Sequence, residues 1–120
     1  MARVLIVDDD PAILQLVALN LELEGYDVLR ATSGPEALEI ARDRAPQMIV
    51  LDVMMPGMDG YAVCEALRES EATGGVPVLM LSARTSASDQ QRALDAGAVG
   101  YVTRPFDPSD LIAIIERHLA

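Results

Sequence analysis

The sequence predicts an α/β domain in which five parallel strands form a doubly wound sheet with helices on both faces. Three observations lead to this prediction. Five short runs rich in valine, isoleucine and leucine recur along the chain, as is typical of buried strands. Stretches with helical spacing of apolar residues separate these runs, and capping signals mark the boundaries. Right-handed crossovers then give one sheet, for which we expect the strand order 2-1-3-4-5.

The predicted strands are short, and polar residues stand at or near the ends of four of them. The first, "RVLIV", runs into three aspartates, and the third, "QMIVL", is followed by Asp52. The fourth precedes Ser82, and the fifth carries Tyr101 close to Arg104. The predicted bounds are 3–7, 27–31, 47–51, 77–81 and 99–102.

The helix boundaries are predicted from short polar residues, prolines and glycines. A serine, threonine or aspartate before a helix can accept a hydrogen bond from an unpaired backbone N–H, and glycine suits the left-handed turn that ends a helix. The segment "SEATGGVP", 70–77, is predicted to be a loop within the domain. The predicted start signals are Asp10 before Pro11, Ser33 with Glu36, Ser88 with Gln91 and Asp107 before Pro108, and the predicted ends are Gly25 and Gly97.

Composition limits the classes of function. The 120 residues suffice for one domain, which we assign to residues 1–120. A formal charge of −10 would repel a nucleic-acid backbone, so direct nucleic-acid binding is not expected. The chain has one cysteine, Cys64, predicted to lie in the core, and no apolar run long enough to cross a membrane. Since carboxylates follow Met1 too early for a secretory signal, we expect a cytoplasmic domain.

The polar residues at the strand ends predict a binding site. In a doubly wound sheet, ligands bind beyond the carboxyl ends of the strands, where the first and third strands are neighbours. Asp8, Asp9 and Asp52 should therefore meet, and their mutual repulsion calls for a shared cation. Mg²⁺ suits such a set better than zinc, because histidine and cysteine ligands are missing. Arg104 would be a second cation facing the cluster.

A divalent ion, a fixed cation, a hydroxyl and a carboxylate together suit a phosphoryl group. Carboxylates can act as nucleophiles and form acyl phosphates. Asp52 is the best candidate nucleophile because it stands alone at its strand end, whereas Asp8 and Asp9 form a pair suited to holding the ion.

Four motifs, "LIVDDDP", "IVLDVMMPGMDG", "LSA" and "YVTRPFDP", occur in this order across the whole chain. In this respect the sequence resembles the receiver domain of two-component response regulators, whose sheet is flavodoxin-like. The resemblance implies that Asp52 accepts a phosphoryl group from a histidine kinase or a histidine phosphotransfer protein. It implies Mg²⁺ ligands at Asp9, Asp52 and the backbone carbonyl of Met54, with Asp8 acting through a water.

The resemblance also implies a switch. Ser82 matches the hydroxyl that moves onto the phosphoryl group, and Tyr101 matches the aromatic that turns inward with it. Their movement would reshape the face formed by the fourth helix, fifth strand and fifth helix. Such a domain catalyses its own phosphorylation and dephosphorylation but is otherwise no enzyme.

Arg104 departs from the family pattern, which has lysine at this position. The planar fork of arginine grips two oxygens at once, so the exchange is not conservative. Three outcomes stay open: retained function, weak switching, or an atypical receiver that binds a partner without phosphate. The first gains support because all nine cations of the chain are arginine. The bond before Pro105 is expected to be cis, as in the family.

Other classes fit the residues less well. A flavodoxin-like electron carrier would need a phosphate loop rich in glycine and hydroxyls where this chain has "DDDPA". A haloacid-dehalogenase-like phosphatase would place its nucleophile after the first strand. For the output, we expect a downstream protein target or a C-terminal output domain outside this chain. Receivers of winged-helix regulators typically carry two acids where this chain has Val99 and Gly100. This difference argues against the dimer and the winged-helix output of those regulators, and we expect a monomer or a weak phosphorylation-dependent dimer.

Overall fold

The computed structural model describes residues 2–83, 86–103 and 106–119. Strands and helices alternate five times, as predicted. The strands are β1 (Arg3–Val7), β2 (Asp27–Ala31), β3 (Met48–Asp52), β4 (Val78–Ser82) and β5 (Gly100–Thr103), and the helices are α1 (Pro11–Leu23), α2 (Gly34–Arg44), α3 (Gly60–Glu69), α4 (Ala87–Asp95) and α5 (Pro108–Leu119).

All strand pairs are parallel, and the order β2-β1-β3-β4-β5 confirms the predicted topology. The first two strands have the predicted bounds. The other three begin and end one residue later than predicted, so that Asp52 and Ser82 are the last residues of their strands. Asp52 and Ser82 have polar side chains, but their backbones still pair with the neighbouring strand. The hydrophobicity of the sequence does not reveal this pairing.

The core lies on both faces of the sheet. β3 and β4 are buried along their whole length, as expected of central strands covered by helices on both sides. One cluster lies between the sheet and helices α2, α3 and α4, and a second lies beneath α1 and α5. Cys64 belongs to the first cluster, as predicted, and burial raises the pKa of its thiol. Among the described helices, none combines the length and apolar character needed to cross a membrane.

Most predicted helix boundaries are confirmed. The side chains of Asp10, Ser33 and Asp107 accept hydrogen bonds from the backbone N–H groups of the first helical turns. Gly25 and Gly97 have positive φ after α1 and α4. The prediction for α4 was wrong, because the cap is Ser86, whose hydroxyl accepts from the N–H of Asp89 at 3.1 Å. Ser88 lies inside the first turn.

The predicted loop 70–77 is held in place by one side chain of α3. The Arg68 guanidinium donates to the carbonyl oxygens of Gly74 at 2.8 Å and Val76 at 2.7 Å. It also reaches the carbonyl of Gly97, at 3.2 Å, in the turn before β5. Arg68 therefore joins the loop before β4 to the turn before β5, at the sheet edge opposite the predicted site.

Candidate functional site

The first two acids of the site follow β1. Asp8 is buried, and its backbone N–H donates to the carbonyl of Ala31 on β2 at 3.1 Å. Its carboxylate accepts from the N–H of Asp10 at 2.9 Å, within the turn that leads into α1. Asp9 is exposed. The turn therefore holds one carboxylate inside the sheet edge and leaves the next one at the surface.

Asp52 is the last residue of β3, between β1 and β4. It is 5% exposed, and in the register it lies opposite Leu81 of β4. The backbone N–H of Met54 donates to its carboxylate at 3.3 Å, and the N–H of Val53 donates to the carbonyl of Leu81 at 3.0 Å. The central place of β3 and these contacts fix the Asp52 carboxylate at the carboxyl edge of the sheet.

The three predicted acids meet as the sequence indicated. Asp8, Asp9 and Asp52 each offer a carboxylate oxygen, and these three oxygens lie within 4.8 Å of one another. Two of the three side chains are buried. Negative charges this close destabilise one another unless a cation is bound among them. The donor set consists of oxygens alone, which fits Mg²⁺.

The loop from β3 to α3 depends on two glycines. Gly57 has a φ of +78°, which glycine adopts without steric cost. Gly60 packs directly on the backbone of the site: a β-carbon there would lie 2.5 Å from the carbonyl oxygen of Asp52 and 2.8 Å from the α-carbon of Val53. Its N–H donates to the carbonyl of Val53 at 3.0 Å. The absence of a side chain at Gly60 therefore lets α3 begin against the backbone of Asp52.

Ser82 and Tyr101 lie on the strands beyond Asp52. Ser82 is fully buried and follows Leu81, the residue opposite Asp52. Tyr101 is half-buried and packs against the core cluster beneath α2, α3 and α4. Arg104 and Pro105 lie outside the described residues, so their predicted roles stay predictions. The ligand role of the Met54 carbonyl also stays a prediction, since the contact described above involves its N–H.

A groove of about 490 Å³ adjoins the site, and Tyr61 and Arg92, which the sequence did not single out, contact each other in its wall. Tyr61, on α3, forms one wall, and the guanidinium carbon of Arg92, on α4, lies 4.3 Å from the centre of its ring. These residues come from separate elements, and no local sequence pattern points to their contact. The groove is lined by Val53, Met54, Met55, Pro56, Gly57, Asp59, Tyr61 and Arg92.

Comparison with known proteins identifies the family. The sequence model of the response regulator receiver domain matches residues 4–116. The chain belongs to this family. The receiver is 46% identical over 113 residues to the "DNA-binding dual master transcriptional regulator RpaA" of Synechocystis, an alignment covering 94% of this chain and 47% of that protein. It is 42% identical over 114 residues to the regulatory protein PhoP of Bacillus subtilis, covering 95% and 47%. The receiver thus spans about half the length of the curated relatives it matches.

Solved structures agree with the fold of this receiver. The chemotaxis protein CheY4 of Vibrio cholerae superposes with a TM-score of 0.93 at 38% identity, covering 98% of both chains. The "BeF3 Activated DrrB Receiver Domain" gives a TM-score of 0.89 at 33% identity, covering 99% of this chain and 97% of that one. The predicted fold and the predicted family are therefore confirmed. Receiver domains are signalling modules of two-component systems and are not enzymes in the usual sense.

Proposed function

We propose that Asp52 is the phosphoacceptor of this receiver. A histidine kinase or a histidine phosphotransfer protein supplies the phosphoryl group. A carboxylate oxygen of Asp52 attacks the phosphorus, the P–N bond to the donor imidazole breaks, and the imidazole leaves with the electron pair of that bond. The observation that carries the proposal is the convergence of the Asp52 carboxylate with those of Asp8 and Asp9 within 4.8 Å.

Asp8, Asp9 and Asp52, with the backbone carbonyl of Met54, are the proposed Mg²⁺ site. When bound, Mg²⁺ supplies positive charge that neutralises the phosphoryl oxygens. The three converging carboxylates support this assignment. The β1–α1 turn orients Asp8 through the N–H of Asp10, so that the buried acid is held in place before any ligand binds.

The metal assignment predicts a change in thermal stability. At a concentration of Mg²⁺ about one hundred times its dissociation constant, binding to the folded state alone adds about 2.7 kcal/mol. Asp9→Asn removes one charge from the exposed side of the cluster and should abolish most of the gain. Asp43→Asn, at an exposed acid on α2 outside the cluster, is the control. Melting curves with and without Mg²⁺ measure the effect, and equal gains in Asp9→Asn and the parent would contradict the assignment.

Ser82, Tyr101 and Arg104 are proposed to act on the phosphoryl group or to respond to it. The hydroxyl of Ser82 donates to a phosphoryl oxygen, and Tyr101 follows its movement. The Arg104 guanidinium balances the added charge. Phosphorylation then alters the face of α4, β5 and α5. The position of Ser82 one residue beyond the neighbour of Asp52 in the sheet supports this arrangement.

Signal output is proposed to pass through that face to a protein target or to a C-terminal output domain. We keep both possibilities, because the chain covers the CheY4 structure almost completely but RpaA over only about half its length. The expectation from Val99 and Gly100 against a winged-helix output stays a prediction. We also propose that the domain is cytoplasmic, that it is monomeric or dimerises weakly on phosphorylation, and that it does not itself bind nucleic acid.

The test is direct phosphorylation by a small donor. The receiver is incubated with Mg²⁺ and acetyl phosphate, and its intact mass is recorded beside that of Asp52→Asn. We expect the parent to gain one base-labile phosphoryl group and the variant to gain none. Omitting Mg²⁺ should suppress the gain. A folded parent that binds Mg²⁺ without gaining mass would overturn the assignment of Asp52.

A further inference from the structure

α1 is apolar on the side that faces away from the core as well as on the side that packs against it. The core side consists of Leu14, Val17, Ala18 and Leu21. On the outer side, Leu16, Leu19 and Leu23 are 43%, 53% and 76% exposed. Single exposed leucines are common on protein surfaces, but three on one helix indicate an interaction surface.

The exposed apolar residues form one row along the helix, which we call the α1 seam: Ala12, Leu16, Leu19 and Leu23. Successive members are separated by four, three and four residues, so all of them lie on the same side of the helix. This is the spacing at which two helices pack along each other in a coiled coil. The row runs from the first turn of α1 to its last residue. The seam therefore fits another helix.

The α1 seam is symmetric about its midpoint, which lies between Leu16 and Leu19. A second α1 laid antiparallel would place Leu16 of each copy against Leu19 of the other. The same arrangement places the small Ala12 against Leu23, the most exposed of the three leucines. A two-fold pair requires this kind of self-complementarity, because each contact between two residues occurs twice.

The flanks of the seam bring no like charges together. Ile13, Gln15 and Asn20 are uncharged, and Glu22, the one charged residue within α1, is paired with Arg30. A partner helix with charged flanks would find no unpaired opposite charge beside the leucines, whereas a second copy of α1 meets uncharged flanks. Charge complementarity thus favours a second copy over a strongly charged partner.

Acidic residues beyond the two ends of α1 oppose pairing. Asp9 and Asp10 precede the helix and Glu24 follows it, and all three are exposed. Antiparallel pairing brings the start of one helix near the end of the other, so these charges repel one another across the pair. Salt screens repulsion between exposed charges. Two copies should therefore pair more strongly at high salt.

The exposed area limits how strongly two copies can pair. The three leucines together leave less area exposed than two whole leucine residues would. Burial of apolar area drives association, but the loss of translational and rotational freedom opposes it. A patch of this size lies far below the interface of a permanent dimer, so the pairing is expected to be weak.

We propose that two copies of this receiver pair antiparallel through the α1 seam, about a two-fold axis, with a dissociation constant of about 0.1 to 1 mM. The inference goes beyond the proposed function, because the pairing needs no phosphorylation and uses α1 in place of the α4–β5–α5 face. At micromolar concentrations the receiver is monomeric.

Sedimentation equilibrium of the unphosphorylated receiver, between about 10 µM and 2 mM, measures the pairing. We expect monomers at the lower concentrations, dimers at the higher ones, and stronger pairing in high salt than in low salt. A receiver that stays monomeric throughout would overturn the proposal. Pairing that weakens as salt is added would also overturn it, because opposite charges and not the leucines would then hold the copies together.

The matched variants are Leu19→Glu in the seam and Leu94→Glu on α4, since the two leucines are 53% and 54% exposed and the change in charge is the same. Leu19→Glu should weaken pairing by about ten-fold, whereas Leu94→Glu should leave it unchanged. Equal effects of the two substitutions would overturn the assignment to α1. If Leu19→Glu does not fold, Leu23→Gln decides in its place, and unchanged pairing there would overturn the assignment.

Mixing two variants tests the antiparallel arrangement. Leu16→Arg alone should pair poorly, as should Leu19→Glu alone. In an antiparallel pair the two substituted positions face each other, so the mixture of these variants should associate more strongly than either one does. Leu16→Arg mixed with Leu94→Glu has the same charges and should show no such gain. A mixture of the two seam variants that associates no better than the control mixture would overturn the proposed pairing.

Discussion

Replacing Gly60 with alanine should disturb the phosphorylation site through its backbone. The new β-carbon would lie 2.5 Å from the carbonyl oxygen of Asp52, whereas β-carbons stay at least 3.0 Å from their neighbours. The start of α3 and the end of β3 must therefore separate by at least about 0.5 Å, and since both contacted atoms belong to the backbone, no side chain can yield instead. Overpacking of this kind costs about 1 to 3 kcal/mol.

The assay is thermal unfolding of Gly60→Ala beside Gly75→Ala. For a chain of this length, ~1 kcal/mol corresponds to ~4 °C, so the melting temperature of Gly60→Ala should fall by about 4 to 12 °C. A β-carbon at Gly75 would meet nothing within 4 Å, so the control should melt close to the parent. Because the displaced backbone carries Asp52, Gly60→Ala should also lose Mg²⁺ affinity. Equal melting temperatures and equal Mg²⁺ affinity in the two variants would refute the reasoning.

Two further predictions concern stability. Arg68→Ala should lower the free energy of unfolding by about 2 to 4 kcal/mol, because charged hydrogen bonds to the carbonyls of Gly74, Val76 and Gly97 are lost. The control Arg42→Ala removes an exposed ion pair and should cost less than about 0.5 kcal/mol. Similar denaturant midpoints for the two variants would contradict this prediction. Burial raises the pKa of Tyr61 above its ordinary value of 10.0, so the folded state favours the neutral phenol. The contribution of Tyr61 to the free energy of unfolding is therefore complete below pH 10 and is lost as the pH rises further. Denaturation between pH 9 and 11 should show a shallower loss in Tyr61→Phe than in the parent, and parallel profiles would refute the assignment.

The fold and the acidic cluster could be predicted from the sequence because both follow from short-range patterns. Buried parallel strands are nearly continuous apolar runs, and the ends of neighbouring strands meet at one edge. These two facts bring Asp8, Asp9 and Asp52 together without any knowledge of side-chain geometry. The strand ends were harder to predict, since Asp52 and Ser82 belong to their strands through backbone pairing.

The start of α4 could not be predicted uniquely. Ser86 with Asp89 and Ser88 with Gln91 both place a hydroxyl three residues before a polar side chain. Choosing between them requires the path of the preceding loop. The contacts of Tyr61 with Asp89 and Arg92 were hidden for a different reason, because they join α3 to α4, which only the folded chain brings together.

The choice of arginine over lysine has a structural reason at Arg68. Its guanidinium uses several N–H groups of its fork to reach three carbonyls at once. A lysine ammonium would reproduce this arrangement poorly, because it lacks the planar fork. Compositional bias alone therefore does not account for this arginine.

The identity of the phosphorylated residue tests the central claim most directly. After treatment with Mg²⁺ and acetyl phosphate, borohydride reduces an aspartyl phosphate to homoserine, which peptide mass mapping locates in the chain. We predict homoserine at position 52, absent from samples that lacked the donor. Homoserine at Asp8 or Asp9 instead, or unmodified aspartate at all three positions in a receiver that binds Mg²⁺, would contradict the account.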